Sequence, residues 1–191
     1  MDDTPTREAV VPRLRGRFGQ DYRYVESCAS TQRLLAPDAP EGAVVVADVQ
    51  TEGRGRLGRR WEAPAGTSLL CSVQLRPAAG ASRYPELTIV GAEACAAAIA
   101  AVTGLQPTLK EPNDVLIDRR KVAGVLGEAS EGRVVLGIGI NVNVEGDRLP
   151  TDVRIPATSL LVEIGGPVDR RELLVGLLAA LERRYDDWSA A

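Results

Sequence analysis

The stretch from residue 115 to 144 constrains this chain more than any other. It holds three β-branched, apolar runs, Val115 to Ile117, Val122 to Ala129 and Val134 to Val144. The gaps between them are too short for helices, and Glu131-Gly132 is a two-residue hairpin signal. Such a series predicts consecutive antiparallel strands at the heart of a sheet. Upstream, Arg23–Glu26, Ala43–Val49 and Thr67–Leu75 read as further strands. Helices are predicted over 5–17, from Ser30-Thr31 through Leu35, over 86–103 with Gly104 beyond, and briefly over 158–164. A last helix starts at an Asp169/Glu172 capping box, with Leu173, Leu174, Leu177, Leu178, Leu181, Tyr185 and Trp188 on one face. Hairpin strands between separated helices predict an α+β fold with a mixed, largely antiparallel sheet and helices packed on it. No repeat or linker divides residues 1–191, so one domain is expected.

Composition removes whole classes of chemistry. There is no histidine, which excludes Ser–His–Asp and Cys–His systems and imidazole-bound zinc. Cys28, Cys71 and Cys95 are odd in number and widely spaced, so free, reduced thiols are expected. A net charge of −3 argues against holding nucleic acid by bulk charge. The acidic N-terminus lacks the apolar core of a signal peptide. The apolar stretch Leu87–Leu105 is too rich in alanine for a convincing membrane span. These readings predict a cytoplasmic protein that binds neither DNA nor membrane.

Three segments stand out as chemistry-bearing. Gly53-Arg54-Gly55-Arg56-Leu57-Gly58 follows a strand, but Pro64 and Gly66 prevent the helix that a dinucleotide fingerprint requires. What remains is a loop fit to wrap an anion, or a solvated basic loop. Lys110 to Asp114 and Arg120 to Gly124 flank a tight turn. Of 23 basic residues only Lys110 and Lys121 are lysine, which suggests a need for a compact ammonium. Gly137 and Gly139 alternate within a strand, where glycine is unfavourable unless something approaches the backbone closely.

Together these segments resemble the catalytic domain of biotin–protein ligases. The resemblance runs through Ser30-Thr31-Gln32, Gln50 to Trp61, Lys110 to Asp114, Arg120 to Gly124, Gly137 to Asn141 and Ala157 to Leu160, and covers about residues 20–188. It implies a fold akin to class II tRNA synthetase cores, with the helices on one face of the sheet. It also implies ATP-dependent formation of biotinyl-5′-AMP and transfer of biotin to a lysine of a biotin carboxyl carrier domain, with Mg²⁺ accompanying ATP.

By position, the resemblance implies a biotin site of Ser30, Thr31, Gln32, Gln50, Gly53, Arg54, Gly55, Arg56, Lys121, Gly124, Gly137 and Gly139. It implies nucleotide contacts from Arg56, Arg59, Trp61, Asn113, Asp114, Lys121 and Asn141, with Asp114 toward the metal. Lys121, Arg54 and Arg56 take the catalytic roles. Glu111 stands where the family usually has tryptophan. Neither the small C-terminal domain of most members nor a DNA-binding helix-turn-helix is expected, and a homodimer is compatible with the reading. Three rivals stand beside it: an RNA-binding protein using the arginine–glycine loop, which the negative net charge and scarce aromatics disfavour, a non-catalytic biotin-binding module, and a lipoate or octanoyl attachment enzyme. The histidine-bearing motif of the last is missing.

Overall fold

The computed structural model describes residues 2–191. Its centre is a seven-stranded sheet of β1 (Tyr22–Cys28), β2 (Val44–Gln50), β3 (Ser68–Leu75), β4 (Thr108–Lys110), β5 (Asp114–Ile117), β6 (Arg120–Ser130) and β7 (Arg133–Asn141). The strand order is β1-β2-β3-β7-β6-β5-β4. Only β1 and β2 run parallel; every other pairing is antiparallel. The sheet is therefore mixed and largely antiparallel, as the patterning predicts. Glu131 and Gly132 both take positive φ, the conformation a two-residue hairpin turn demands.

Alternation along the strands separates two faces. Leu69, Cys71, Val73 and Leu75 of β3, Val125 of β6, and Val134, Leu136, Ile138 and Ile140 of β7 belong to the main core. That face carries helix α2 (Glu86–Thr103) and helix α4 (Arg170–Ala190). Both helices are where the periodicity places them, and Gly104 closes α2 in the left-handed conformation. The α4 stripe from Leu173 to Trp188 is buried at all seven expected positions. Each leucine so buried contributes about 1.5–3 kcal/mol relative to exposure. Helix α2 is long and apolar enough by composition to cross a membrane. Here it is a core helix, with Leu87, Val90, Cys95 and Ile99 buried against α4 and the sheet.

Three local expectations change. The helix expected over 5–17 is α1 (Arg7–Val10) followed by a 3-10 turn at Val11–Arg13. Pro12 lacks the N–H that would continue an α-helix. The helix expected after Ser30 is a 3-10 turn, Thr31–Leu34, because Leu35 is already extended. Strand β4 was not expected; its three residues are all exposed, so no apolar alternation betrays it. The short helix near the end is α3 (Leu160–Ile164), capped by the Ser159 side chain. Asp169 caps α4 through the N–H groups of Arg171 and Glu172, while Glu172 turns outward to Arg13.

A buried charge cluster ties the chain's start to its end. Arg170, with a side chain 3% exposed, pairs with Asp3 at 2.9 Å and Asp48 at 2.6 Å. Guanidinium forks suit such desolvated double pairing. The cluster anchors the N-terminal segment and β2 against the first turn of α4.

Candidate active site

The sheet face opposite α2 and α4 is the polar one. Ser72 and Gln74 of β3, Gly124 of β6, and Gly137, Gly139 and Asn141 of β7 lie on it, in register across paired strands. A cavity of about 420 Å³ opens there. The 31–34 turn closes one side and the 50–61 segment another. Thr31 bonds Gln50 through its N–H at 2.7 Å and meets the Ser72 hydroxyl at 2.7 Å. Gln32 crosses over β6 and β7, donating to the Leu126 carbonyl at 3.2 Å.

The arginine–glycine segment forms a tight hairpin rather than a wandering loop. Gly55 N–H donates to the Arg59 carbonyl at 2.7 Å, and Trp61 N–H to the Gly53 carbonyl at 3.0 Å. Two arginines pin it to the sheet. Arg54 pairs with Glu128 of β6 at 2.7 Å, and Arg56 donates to Asn113 Oδ1 at 3.2 Å. Arg59 folds back on the Arg56 carbonyl. Gly53 does not line this cavity, and a Cβ there would meet the Trp61 carbonyl at 2.3 Å.

The glycines of the floor are covered by the chain's own side chains. A Cβ on Gly139 would lie 2.5 Å from the Trp61 indole, one on Gly124 3.1 Å from it, and one on Gly137 2.8 Å from Gln32. Close approach is thus the reason for glycine at these positions. The Trp61 Nε1–H is buried and has no acceptor within the described chain, a donor ready for a ligand oxygen.

Lys121, at the start of β6, reaches into the same cavity. Its Nζ lies 2.5 Å from Asp114 Oδ1 and 5.5 Å from the Trp61 ring centre. Asp114 Oδ1 is buried and makes no regular hydrogen bond. Asn141 does not hang free: its amide donates to the Thr158 carbonyl at 3.0 Å. Ser30, Thr31, Gln32, Gln50, Arg54, Gly55, Arg56, Arg59, Trp61, Asn113, Asp114, Lys121, Gly124, Gly137, Gly139 and Asn141 all line the cavity, so of the expected site only Gly53 stands outside.

Sequence reasoning missed a further wall. Pro150, Asp152, Arg154 and Ile155 line the cavity from a mostly exposed loop. Apart from Pro150 and Pro156, nothing in that loop's composition marks it. Ser72 was missed too, although a polar residue inside the fully buried β3 is a legible sign of a polar sheet face.

The sequence pattern of the biotin/lipoate A/B protein ligase family matches residues 24–145, more than half of the chain. The chain belongs to this family. The resemblance to biotin–protein ligases and the α+β class therefore hold. Similar members include the bifunctional ligase/repressor BirA of Bacillus spizizenii, 40% identical over 90% of this chain and 55% of that protein. The biotin–[acetyl-CoA-carboxylase] ligase of Mycobacterium tuberculosis is 36% identical over the whole chain and 73% of its own length. Among solved structures, biotin protein ligase from Aquifex aeolicus in complex with biotin and ATP superimposes with a TM-score of 0.80. It is 32% identical, over 90% of this chain and 72% of that one. The chain spans about half the length of the BirA relatives it matches.

Proposed function

We propose that this family member activates biotin with ATP and transfers the biotinyl group to a lysine of a biotin carboxyl carrier domain. The observation that carries the reading is Lys121, an ammonium held in a cavity over small backbone and facing the pinned arginine hairpin. Relatives named as biotin ligases supply the choice of substrate.

Activation brings two anions together. A biotin carboxylate oxygen bonds to the α-phosphorus of ATP, and pyrophosphate departs with the electrons of the broken P–O bond. Lys121 stabilises charge building on the phosphoryl oxygens, while Arg54, Arg56 and Arg59, which line the same cavity, are placed to hold the adenylate. The arriving carboxylate replaces Asp114 as the partner of Lys121, and Trp61 Nε1 gains an acceptor. The hairpin then shields the mixed anhydride from water. In the second step a carrier lysine amine attacks the acyl carbon, AMP leaves, and the amine loses a proton.

No protein nucleophile is needed. Cys71, whose strand borders the cavity, has its thiol in the core on the helix side of the sheet, and that burial pushes its pKa up to about 12. A cytoplasmic setting accords with three free cysteines.

Magnesium fits the site as a companion of ATP. Among the described residues no three His, Cys, Asp or Glu side chains converge to hold an ion alone. Asp114 would supply one carboxylate to an ion otherwise held by phosphates, the ordinary arrangement for Mg²⁺. Bound there, the ion supplies neutralisation of phosphate charge.

The test is mass spectrometry of an apo carrier domain incubated with the chain, biotin, ATP and Mg²⁺. A gain of one biotinyl group is expected. No gain contradicts transfer, and equal gain from lipoate or octanoate contradicts the choice of biotin.

A further inference from the structure

Glu163 lies on α3, outside the cavity, and has no place in the chemistry above. Its side chain is only 6% exposed, an unfavourable setting for a carboxylate unless its oxygens are occupied. They are. The Thr158 hydroxyl donates to it, and Arg120 Nη2 lies 2.9 Å away.

Both partners adjoin one residue. Arg120 immediately precedes Lys121 in β6. Thr158 N–H donates to the Lys121 carbonyl at 2.9 Å, and Lys121 N–H donates to the Pro156 carbonyl at 2.7 Å. Both main-chain polar groups of Lys121 are therefore committed to the 156–158 segment, which bridges β6 in parallel at Ala157. Asn141 holds the same segment through the Thr158 carbonyl. Helix α3 does not need Glu163 for its own sake. Ser159 caps it, and Leu161 N–H is anchored on the Val142 carbonyl.

We propose that Glu163 is a positioning residue for Lys121: by clamping Arg120 and Thr158 to one buried carboxylate, it fixes the backbone from which the ammonium reaches the reacting anions. The proposal rests on the activation reading above. Asp114 and Trp61 restrain the tip of the lysine, while the clamp restrains its root. A shift of about 1 Å in a group that acts in the transition state costs about a hundredfold in rate.

The experiment is biotin-dependent ATP–pyrophosphate exchange in wild type, Glu163→Gln, Glu163→Ala, Thr158→Ser and Thr158→Val, each shown to be folded by far-ultraviolet circular dichroism. Glutamine keeps an acceptor for Thr158 but loses the charge. We expect kcat to fall about tenfold in Glu163→Gln and about a hundredfold in Glu163→Ala, with KM for biotin moving less than about threefold. Thr158→Ser, which keeps the hydroxyl, stays near wild type, while Thr158→Val falls with Glu163→Gln. A purely structural role would lower the melting temperature and leave kcat of the folded enzyme alone. Should Glu163→Ala not fold, Glu163→Gln and the Thr158 pair decide.

Unchanged kcat in Glu163→Gln and Thr158→Val, or a raised KM at unchanged kcat, overturns the clamp alone. No exchange in wild type overturns the activation reading, and the clamp's role with it.

Discussion

The indole of Trp61 lies so close on Gly139 that a Cβ there would come within 2.5 Å of it. The glycine and the tryptophan are one packing unit, joined across 78 positions of sequence by the return of the arginine hairpin onto the sheet. Gly139→Ala must push the indole off its seat, an overpacking that costs about 1–3 kcal/mol. Melting temperature should fall by about 2–4 °C per kcal/mol for a chain of this length. An unchanged melting temperature would mean that the indole yields freely and the contact is incidental.

Arg54 and Glu128 form the second attachment of the hairpin, at 2.7 Å with both side chains partly exposed. Arg54→Glu and Glu128→Arg should each speed tryptic cleavage after Arg56, Arg59 and Arg60. The double exchange restores the pair in reverse and should slow cleavage again. Cleavage in the double variant as fast as in the singles would dismiss the pair as a restraint.

Arg56 is attached to Asn113 rather than to another charge, so it can turn to an adenylate without breaking an ion pair. One charge-assisted hydrogen bond is worth about 1.5–3 kcal/mol. Arg56→Gly should therefore release biotinyl-5′-AMP roughly 10- to 150-fold faster and label bystander lysines. Exchange abolished with no leaked adenylate would assign Arg56 to bond formation instead.

Asp169 is held below the usual carboxylate range, first by hydrogen bonding to the Arg171 side chain and then by the N–H groups it caps; burial opposes this. A depressed folded pKa contributes stability that is present above the unfolded value near 3.9 and lost as pH falls through the folded one. Asp169→Ala should cost about 1 kcal/mol at neutral pH. Its deficit against wild type in thermal unfolding should hold steady down to about pH 5 and shrink below about pH 4. A deficit that stays constant into stronger acid would show that the charge contributes nothing.

How much of this was legible depends on whether the signal is local. The strands from Val115 onward, the α4 stripe and the Glu131-Gly132 turn declare themselves through period and turn chemistry. At the N-terminus the apolar spacing continues past Pro12 and suggests a longer helix than α1, which ends at Val10. Strand β4 exists only because β5 offers a partner, and exposed residues carry no period. In the site, Lys121 stood out as one of two lysines, and the alternate glycines correctly announced close approach. What approaches them, Gln32 and Trp61, depends on where distant segments return. The same holds for Glu128 under Arg54 and Glu163 behind Lys121. Each is an ordinary glutamate in the sequence and gains meaning only from its tertiary partner.

In the proposed activation Lys121 is the charge on which the reaction turns, and biotin-dependent ATP–pyrophosphate exchange measures that step without any carrier. Wild type should show exchange that requires biotin, and Lys121→Ala should lose about 10²- to 10³-fold of it, the usual loss for one transition-state partner. Exchange in the variant at the wild-type rate would contradict that role for Lys121, and none in the wild type would contradict biotin activation itself.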